Sequence, residues 1–281
     1  VNVLSLFDGI SCGKVALDRA EIKVDNYFAS EIKSDALKVS AANHPTIKQL
    51  GDVTILDGTT LPKIDLLIGG SPCQNLSRAN KSREGLSGDK SKLFYEYLRI
   101  LNKINPTYFL LENVIMERVQ QDIISYRLGY EPIRINSSLV SSALRDRLYW
   151  TNIPNVTVPA DRGITLTSIL TSGYTNRVKA RALLESDSRP LSDKYKMWRR
   201  FMKGFTTIIF ENPADMKLVA NPKSGVVAFA NLNCRYMNQI ELERCMTLPD
   251  GYTKVLDRNH AAGVLGDSWT VDVISHIFKG L

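Results

Sequence analysis

No apolar run in this sequence approaches the roughly 18 residues that a bilayer crossing requires. The longest, VNVLSLF at the start and IDLLIGG near residue 68, fall far short, so a membrane-spanning helix is not expected. No basic segment followed by a cleavable apolar stretch opens the chain. The four cysteines, Cys12, Cys73, Cys234 and Cys245, form neither a CxxC pair nor a disulfide ladder, which leads to the expectation of a reduced, intracellular protein. Three histidines, His44, His260 and His276, are scattered with no ligand spacing among them or the cysteines, so no metal is expected. With 17 Gly and 11 Pro in 281 residues the chain lies outside the collagen-like and disordered classes, and it has no internal repeat, low-complexity tract or GxGxxG fingerprint. What remains is an ordinary globular composition, 44% hydrophobic and 23% charged, with 36 Lys plus Arg against 29 Asp plus Glu. The resulting charge of +7 is compatible with a polyanionic partner but does not by itself demand one.

The first 150 residues alternate short β-branched runs with stretches of helical periodicity, the signature of βαβ units around a parallel sheet. Strands are expected at about 1–7, 26–30, 47–50, 64–68, 107–111, 130–136 and 147–152. The clearest helix covers about 89–104, where Leu93, Tyr97, Ile100, Leu101 and Ile104 form one apolar stripe. Asp89 stands at its N-cap position, and Asn105-Pro106 ends it because the residue before proline is pushed out of helical space. After Pro154 periodicity weakens, and 155–235 reads as an inserted second lobe between a main domain of 1–154 and 236–281. The closing SWTVDVISHIFKGL places Val271, Ile274, Ile277 and Phe278 at helical spacing, a face expected to pack on the first lobe's sheet.

Chemistry-bearing residues collect at the expected strand ends. Phe7 to Gly13 is a glycine-bearing turn from a strand into a helix, which lets backbone N–H groups approach a ligand. Asp8, Glu31 and Asp52 stand at the ends of the first three strands, where carboxylates in α/β folds meet nucleoside hydroxyls; any one of them taken alone reads more readily as a solvated loop or cap residue. Cys73 lies in GGSPCQN after the fourth strand, either facing a ligand or buried as a small hydrophobe. Glu112 ends the strongly apolar fifth strand, where desolvation suits a carboxyl to donate a proton; capping the next helix is the alternative. Arg145 and Arg147, two apart, share one face of a strand, suited to an anionic substrate or to solvent.

In order, FDGISCG, Glu31, Gly51-Asp52, GGSPCQNLS, LLENV, ALRDR, ELERCMTLPDGY and GDSWTV resemble the motifs of the DNA (cytosine-5) methyltransferases over nearly the whole chain. Pro72-Cys73-Gln74 and Glu112-Asn113-Val114, about forty residues apart at two strand ends, are the most specific elements. The serine in GGSPC, the alanine ahead of the paired arginines and Ser268-Trp269 lean towards the animal de novo enzymes. Gln74 matches the bacterial ones, and Asp267 replaces their usual asparagine. The resemblance implies an α/β, Rossmann-like methyltransferase fold: a mostly parallel seven-stranded sheet flanked by helices, with 155–235 as a small target-recognition lobe. It implies S-adenosylmethionine as cofactor, with S-adenosylhomocysteine as product. Phe7, Asp8, Gly9, Ile10, Ser11 and Gly13 would surround the methionyl part, Glu31 the ribose and Asp52 the adenine. Ile32, Val53, Ser71 and Pro72 belong to the same expected pocket, which Ser268 and Trp269 would close.

On the same resemblance Cys73 attacks carbon 6 of cytosine while Glu112 donates to ring nitrogen 3. Arg147 binds the ring carbonyl, and Arg145 a phosphate or Glu112. Ser77, Arg78, Lys81 and Arg83 fall in a mobile catalytic loop, Ser77 to Ser91, able to close over a flipped base. Lys194 to Lys203, with Arg199 and Arg200, either grips phosphates of double-stranded DNA or is a solvated basic helix with apolar anchors. Three other readings fit less well. The related family that methylates transfer RNA carries threonine-containing variants around its cysteine, which this chain lacks. Inactive regulatory homologues tend to lose the cysteine or the glutamate tripeptide, and both are present. A nicotinamide-dependent enzyme would leave Pro-Cys-Gln unexplained. Compactness favours a bacterial or viral source and hence the cytoplasm, or the nucleus if the source is eukaryotic.

Overall fold

A computed structural model describes residues 1–72, 93–184, 193–219 and 232–281. Cys73, Ser77, Arg78, Lys81, Arg83 and the expected cap Asp89 lie outside the described residues. The chain divides into two compact units, 1–136 with 146–159 and 273–281, and 137–145 with 160–272.

The first unit is built on seven strands: β1 (Asn2–Leu6), β2 (Asn26–Ser30), β3 (Lys48–Gln49), β4 (Leu66–Gly70), β5 (Tyr108–Val114), β6 (Ile133–Asn136) and β7 (Asp146–Thr151). They form one sheet in the order β3-β2-β1-β4-β5-β7-β6, parallel except for β7, which runs antiparallel to both neighbours. All seven strands appear where the β-branched runs predict them. Central parallel strands are covered on both faces, which is why β1, β4 and β5 read as nearly continuous apolar runs rather than alternating ones. Helices α1 (Cys12–Arg19), α2 (Ser34–Asn43), α3 (Leu93–Ile104) and α4 (Arg118–Leu128) lie between the strands. In α3 the fully covered side is Phe94, Tyr97, Leu98 and Ile100, while Leu93, Leu101 and Ile104 pack at its margin. The buried stripe is therefore turned slightly from the expected one. The helix ends at Ile104, and Asn105 leaves it with φ 42°.

Close approach of α3 to β4 depends on Gly69: a Cβ there would meet the Leu6 carbonyl oxygen and the Tyr97 ring, each at 3.0 Å. Tyr97, buried with its hydroxyl donating to the Leu110 carbonyl oxygen at 3.1 Å, fills that space. At the far end of the chain Val271, Ile274, Ile277 and Phe278 are all buried, as their spacing predicts. Gly280 has no room for a side chain, since a Cβ would lie 2.3 Å from the Pro154 carbonyl oxygen.

The second unit contains α5 (Lys194–Met202), β8 (Ile208–Phe210), α6 (Pro213–Val219), β9 (Cys234–Tyr236), α7 (Gln239–Cys245) and α8 (Arg258–Asp267); α9 (Val271–Phe278) follows. β8 and β9 form a short antiparallel pair, and Met197, Phe201, Ile208, Phe210 and Leu232 make a small apolar cluster. Buried charged groups add polar ties. Glu241, with no solvent exposure, accepts hydrogen bonds from Arg235 Nη1 and Nη2 (2.8 and 2.9 Å), from the N–H of Asn238 (2.9 Å) and from the N–H of Thr171 (3.0 Å). Burial works against its charge, and Arg235 together with those N–H groups overcomes it, holding the carboxyl below its ordinary range. Glu243, equally buried, accepts from the N–H groups of Gly251 (2.6 Å) and Thr253 (2.7 Å). Arg244 Nη1 donates to the Ile169 carbonyl oxygen at 2.9 Å. These ties join 236–272 to 160–235, so compact packing divides the chain differently from the expected 1–154 plus 236–281 against 155–235.

Candidate functional site

In a sheet of this topology the chain leaves β1 in one direction and returns to β4 on the other side, opening a crevice at the carboxyl ends of those strands. The loops after β1, β2, β4 and β5 share this edge. The antiparallel β7 brings its start there too, with Arg147 opposite Val114.

The turn after β1 is tightly determined. Phe7, Gly9 and Ser11 take positive φ (57°, 60° and 63°), and Ser11 is the N-cap of α1. Side chains in that region are strained, so the turn is held by hydrogen bonds. Glu31 Oε2 accepts from the Gly9 N–H at 2.8 Å, and Oε1 accepts from the N–H groups of Ile32 (2.7 Å) and Lys33 (2.8 Å). One carboxylate thus ties the β1 turn to the β2 turn. Asp8 Oδ2 accepts from the Ser11 hydroxyl at 2.6 Å and Oδ1 from the Tyr27 hydroxyl at 2.8 Å. Ser40 Oγ lies 2.7 Å from Ser11 Oγ and accepts from Gln49 Nε2 at 3.2 Å. A chain of hydroxyls therefore runs from β3 and α2 to the Asp8 carboxylate. Burial pushes that carboxyl up to about 6 against the pull of the Ser11, Ser5 and Tyr27 hydroxyls, and the nearby Glu31 adds to the rise. Tyr27, Ser40 and Gln49 escape sequence reasoning because their partners lie on other elements.

The other expected cofactor residues divide by accessibility. Ile32 is 69% exposed beside Glu31, an apolar surface left open. Asp52 caps the short turn Val53–Ile55 through the Thr54 N–H at 2.8 Å, which holds its carboxyl below the ordinary range. Val53, 4% exposed, is part of the hydrophobic core, and Ile10 and Gly13 are buried, so only backbone atoms of these three are suited to a ligand. In the second unit Ser268 is buried at the end of α8, its hydroxyl donating to the Leu265 carbonyl oxygen at 2.9 Å, and Trp269 is half-buried.

At the ends of β4 and β5 the register pairs Gly70 with Glu112. Glu112 is nearly buried and ion-paired with Arg147, whose Nε lies 2.9 Å from Oε1. Of the two partners expected for Arg145, a phosphate or Glu112, the glutamate contact thus falls to Arg147. Arg145 precedes β7 in the second unit, 6% exposed, and its Nη1 donates to the Gly266 carbonyl oxygen at 3.1 Å. Asn113, also buried, donates from Nδ2 to Ser71 Oγ at 3.0 Å, while its Oδ1 accepts from the Val114 N–H at 2.8 Å. It fastens Ser71-Pro72, the two residues that lead into Cys73. The glutamate tripeptide marks Asn113 in the sequence but not its partner.

On α5, Met197 and Phe201 are buried anchors, while Lys196 and Arg199 are exposed and Arg200 is half-exposed; Arg199 lies over Tyr195. Among the described residues no three His, Cys, Asp or Glu side chains come together as a metal cluster, and no helix is long and apolar enough to cross a membrane.

Residues 1–120 match the model of the family "C-5 cytosine-specific DNA methylase". A segment of 116 residues is 40% identical to the orphan methyltransferase M.Rho11sI of Bacillus phage rho11s, covering 41% of this chain and 23% of that protein. A segment of 118 residues is 39% identical to the DNA (cytosine-5)-methyltransferase DRM1 of Arabidopsis thaliana, covering 37% of this chain and 19% of that one. The matched segments span about a quarter or less of these relatives. Among solved structures, Entamoeba histolytica methyltransferase EhMeth superposes with a TM-score of 0.76 at 16% identity, covering 100% of this chain and 97% of that one. Schizosaccharomyces pombe Dnmt2 methyltransferase does so at 0.70 and 16% identity, covering 99% and 97%. By sequence, residues 1–120 are similar to the C-5 cytosine-specific DNA methylase family, and the whole chain has the fold of these solved methyltransferases.

Proposed function

We propose that this protein is a DNA cytosine-5 methyltransferase, which methylates carbon 5 of a cytosine turned out of duplex DNA. The observation that carries the reading is the convergence at one sheet edge. Glu112, ion-paired with Arg147, stands on the strand beside the one that leads through the Asn113-held Ser71-Pro72 into Cys73, and the β1 turn bound by Glu31 is next along.

The residues present fit S-adenosylmethionine. Gly9 has open space where a Cβ would sit, it lies in the turn that leads into the N-terminus of α1, and Ile32 offers an apolar face. The Phe7–Ser11 turn would hold the methionyl part, Glu31 the ribose hydroxyls with its remaining lone-pair capacity, and Ile32 and Asp52 the adenine side. When bound, S-adenosylmethionine supplies a methyl group made electrophilic by its sulfonium.

Carbon 5 of cytosine is a poor nucleophile, and the protein's own groups change that. The Cys73 thiolate forms a bond to carbon 6 as the ring electrons move to nitrogen 3, which takes a proton from Glu112. The enamine so formed is nucleophilic at carbon 5. After methylation a base removes the carbon 5 proton and the carbon–sulfur bond breaks, restoring the aromatic ring and the thiolate. Arg147, beside Glu112, is placed to steady the ring carbonyl. Neither reacting carbon is reachable inside a stacked duplex, and extruding the base costs a few kcal/mol, which contacts to the backbone must offset. The second unit is assigned the reading of the target.

The test is transfer of labelled methyl from S-adenosylmethionine to duplex DNA. Cys73→Ser should reduce transfer to background and leave cofactor binding intact, and duplex containing 5-fluorocytosine should trap the wild-type protein covalently. Methylation by the serine variant would refute the nucleophile, and transfer to RNA but not DNA would refute the substrate.

A further inference from the structure

In the second unit most described arginines have an evident partner. Arg162 pairs with Asp272, Arg235 with Glu211 and Glu241, and Arg244 with Asp250, while Arg258 donates to the Met237 carbonyl oxygen. Even Lys179 is accounted for, its ammonium donating to the carbonyl oxygens of Ser138 (2.6 Å), Ser141 (2.9 Å) and Ile164 (2.5 Å). Its neighbours two residues to either side are different. Arg177 and Arg181 each bury Nε with no hydrogen-bond acceptor, and neither guanidinium is ion-paired among the described residues. The Arg177 head lies over the Phe201 ring, 5.9 Å from its centroid, and the Arg181 head lies against Gly204, where a Cβ would come within 2.8 Å of Nη2. Both are held at the end of α5 and the turn after it. Burial and the nearby Arg181 charge together pull the Arg177 guanidinium below its ordinary value, so the two cations act on each other. A cavity beside them is lined by Arg181, Thr206, Thr207, Tyr236 and Arg258.

Two like charges held together with unsatisfied buried N–H groups are unfavourable on their own and become favourable with an anion between them. A guanidinium fork matches tetrahedral oxyanions bidentately, and the threonine hydroxyls are further donors. α5 extends the same positive surface through Arg199 and Lys203.

We propose that Arg177 and Arg181 form a phosphate-binding site in the second unit, and that its ligand is a phosphodiester of the DNA backbone. The assignment of DNA rests on the function proposed above. The site gives that unit a sequence-independent grip, supplying part of the energy that extrusion of the base consumes.

The experiment measures binding of the whole chain to duplex DNA across a range of salt concentrations. Replacing both residues, Arg177→Gln with Arg181→Gln, should weaken binding about tenfold near 0.1 M salt and make the slope of log affinity against log salt shallower by about 1. The double lysine variant, which keeps the charges, should retain most of the slope. Melting temperature and S-adenosylmethionine affinity of the glutamine variant should match the wild type, which separates lost contact from lost fold. An unchanged slope in a folded glutamine variant would overturn the phosphate site while leaving the methyltransferase reading intact. A wild-type protein that binds no duplex at any salt concentration would overturn both. A slope that changes for duplex but not for inorganic phosphate added as competitor marks the polymer backbone as the ligand; equal displacement by millimolar phosphate would assign the site to the free ion and overturn the DNA assignment.

Discussion

The two compact units differ in the part that buried charge plays. In the first, an apolar cluster from β1, β4, β5, β7, α3 and α4 packs on one face of the sheet, with the fully buried Trp150 donating to Ser125 Oγ at 3.0 Å. In the second, Met197, Phe201, Ile208, Phe210 and Leu232 form one apolar cluster among the described residues, further apolar side chains such as Leu242, Leu248 and Leu265 are buried, and ties from Arg235, Glu241, Arg244 and Lys179 cross between segments. An apolar core spreads its energy over many contacts, each replaceable by a residue of similar volume. A buried ion network concentrates it, because removing one member leaves the others desolvated and unpaired. The second unit should therefore be the more brittle to single substitutions.

The largest effect should come from Glu241→Ala, which strands Arg235 and the N–H groups of Thr171 and Asn238. We expect a loss of about 3–5 kcal/mol in chemical denaturation. A loss under about 1 kcal/mol would erase the contrast between the units.

Asp8 tests the reverse, a polar knot inside the apolar unit. Its folded-state value of about 6 lies above the ordinary 3.8, so between these the folded protein holds a proton that the unfolded chain has released. That stabilising contribution is complete below about pH 3.8 and is lost as pH rises through about 6. Asp8→Asn should remove this dependence and raise stability near pH 7 by at most about 3 kcal/mol. Melting curves of both proteins from pH 4 to 8 decide it: parallel profiles would contradict the assignment. A gain in stability accompanied by weaker binding of S-adenosylmethionine would identify Asp8 as strain retained for the ligand turn.

Gly280→Ala should cost about 1–3 kcal/mol, since its methyl group has no room against the Pro154 carbonyl and the docked end of α9 must shift. Loss of amide-exchange protection confined to 273–281 would locate the effect. Arg199→Ala, on an exposed side chain, should change stability by less than about 0.5 kcal/mol. A larger change would mean that α5 depends on more than Met197 and Phe201.

The same contrast explains what could be read in advance. β1 to β7, the end of α3 at Asn105-Pro106 and the buried face of α9 follow from periodicity and local steric rules, which act within a few residues. So does the presence of Glu31, Asp52 and Glu112 at strand ends. The different surroundings of Arg145 and Arg147 were not legible. Two arginines at alternate positions look equivalent until β7 sets one beside Glu112 and the other precedes the strand, where it meets Gly266. Nor was the scaffold role of ELERCMTLPDGY, where Glu241 anchors Thr171 from far away in the chain and Glu243 ties the motif's own Gly251 and the adjoining Thr253.

From the sequence alone came the alternation of strands and helices and the chemical groups at the strand ends, because hydrophobic period and turn chemistry are local properties. Only the folded chain decided which groups are neighbours. Glu31 clamps the Gly9 turn, Asn113 fastens the approach to Cys73, and Arg177 and Arg181 lie near each other with no acid paired to them among the described residues. Such pairings depend on the distance between elements remote in sequence, and in a buried setting that distance determines whether a charge is satisfied or available to a ligand.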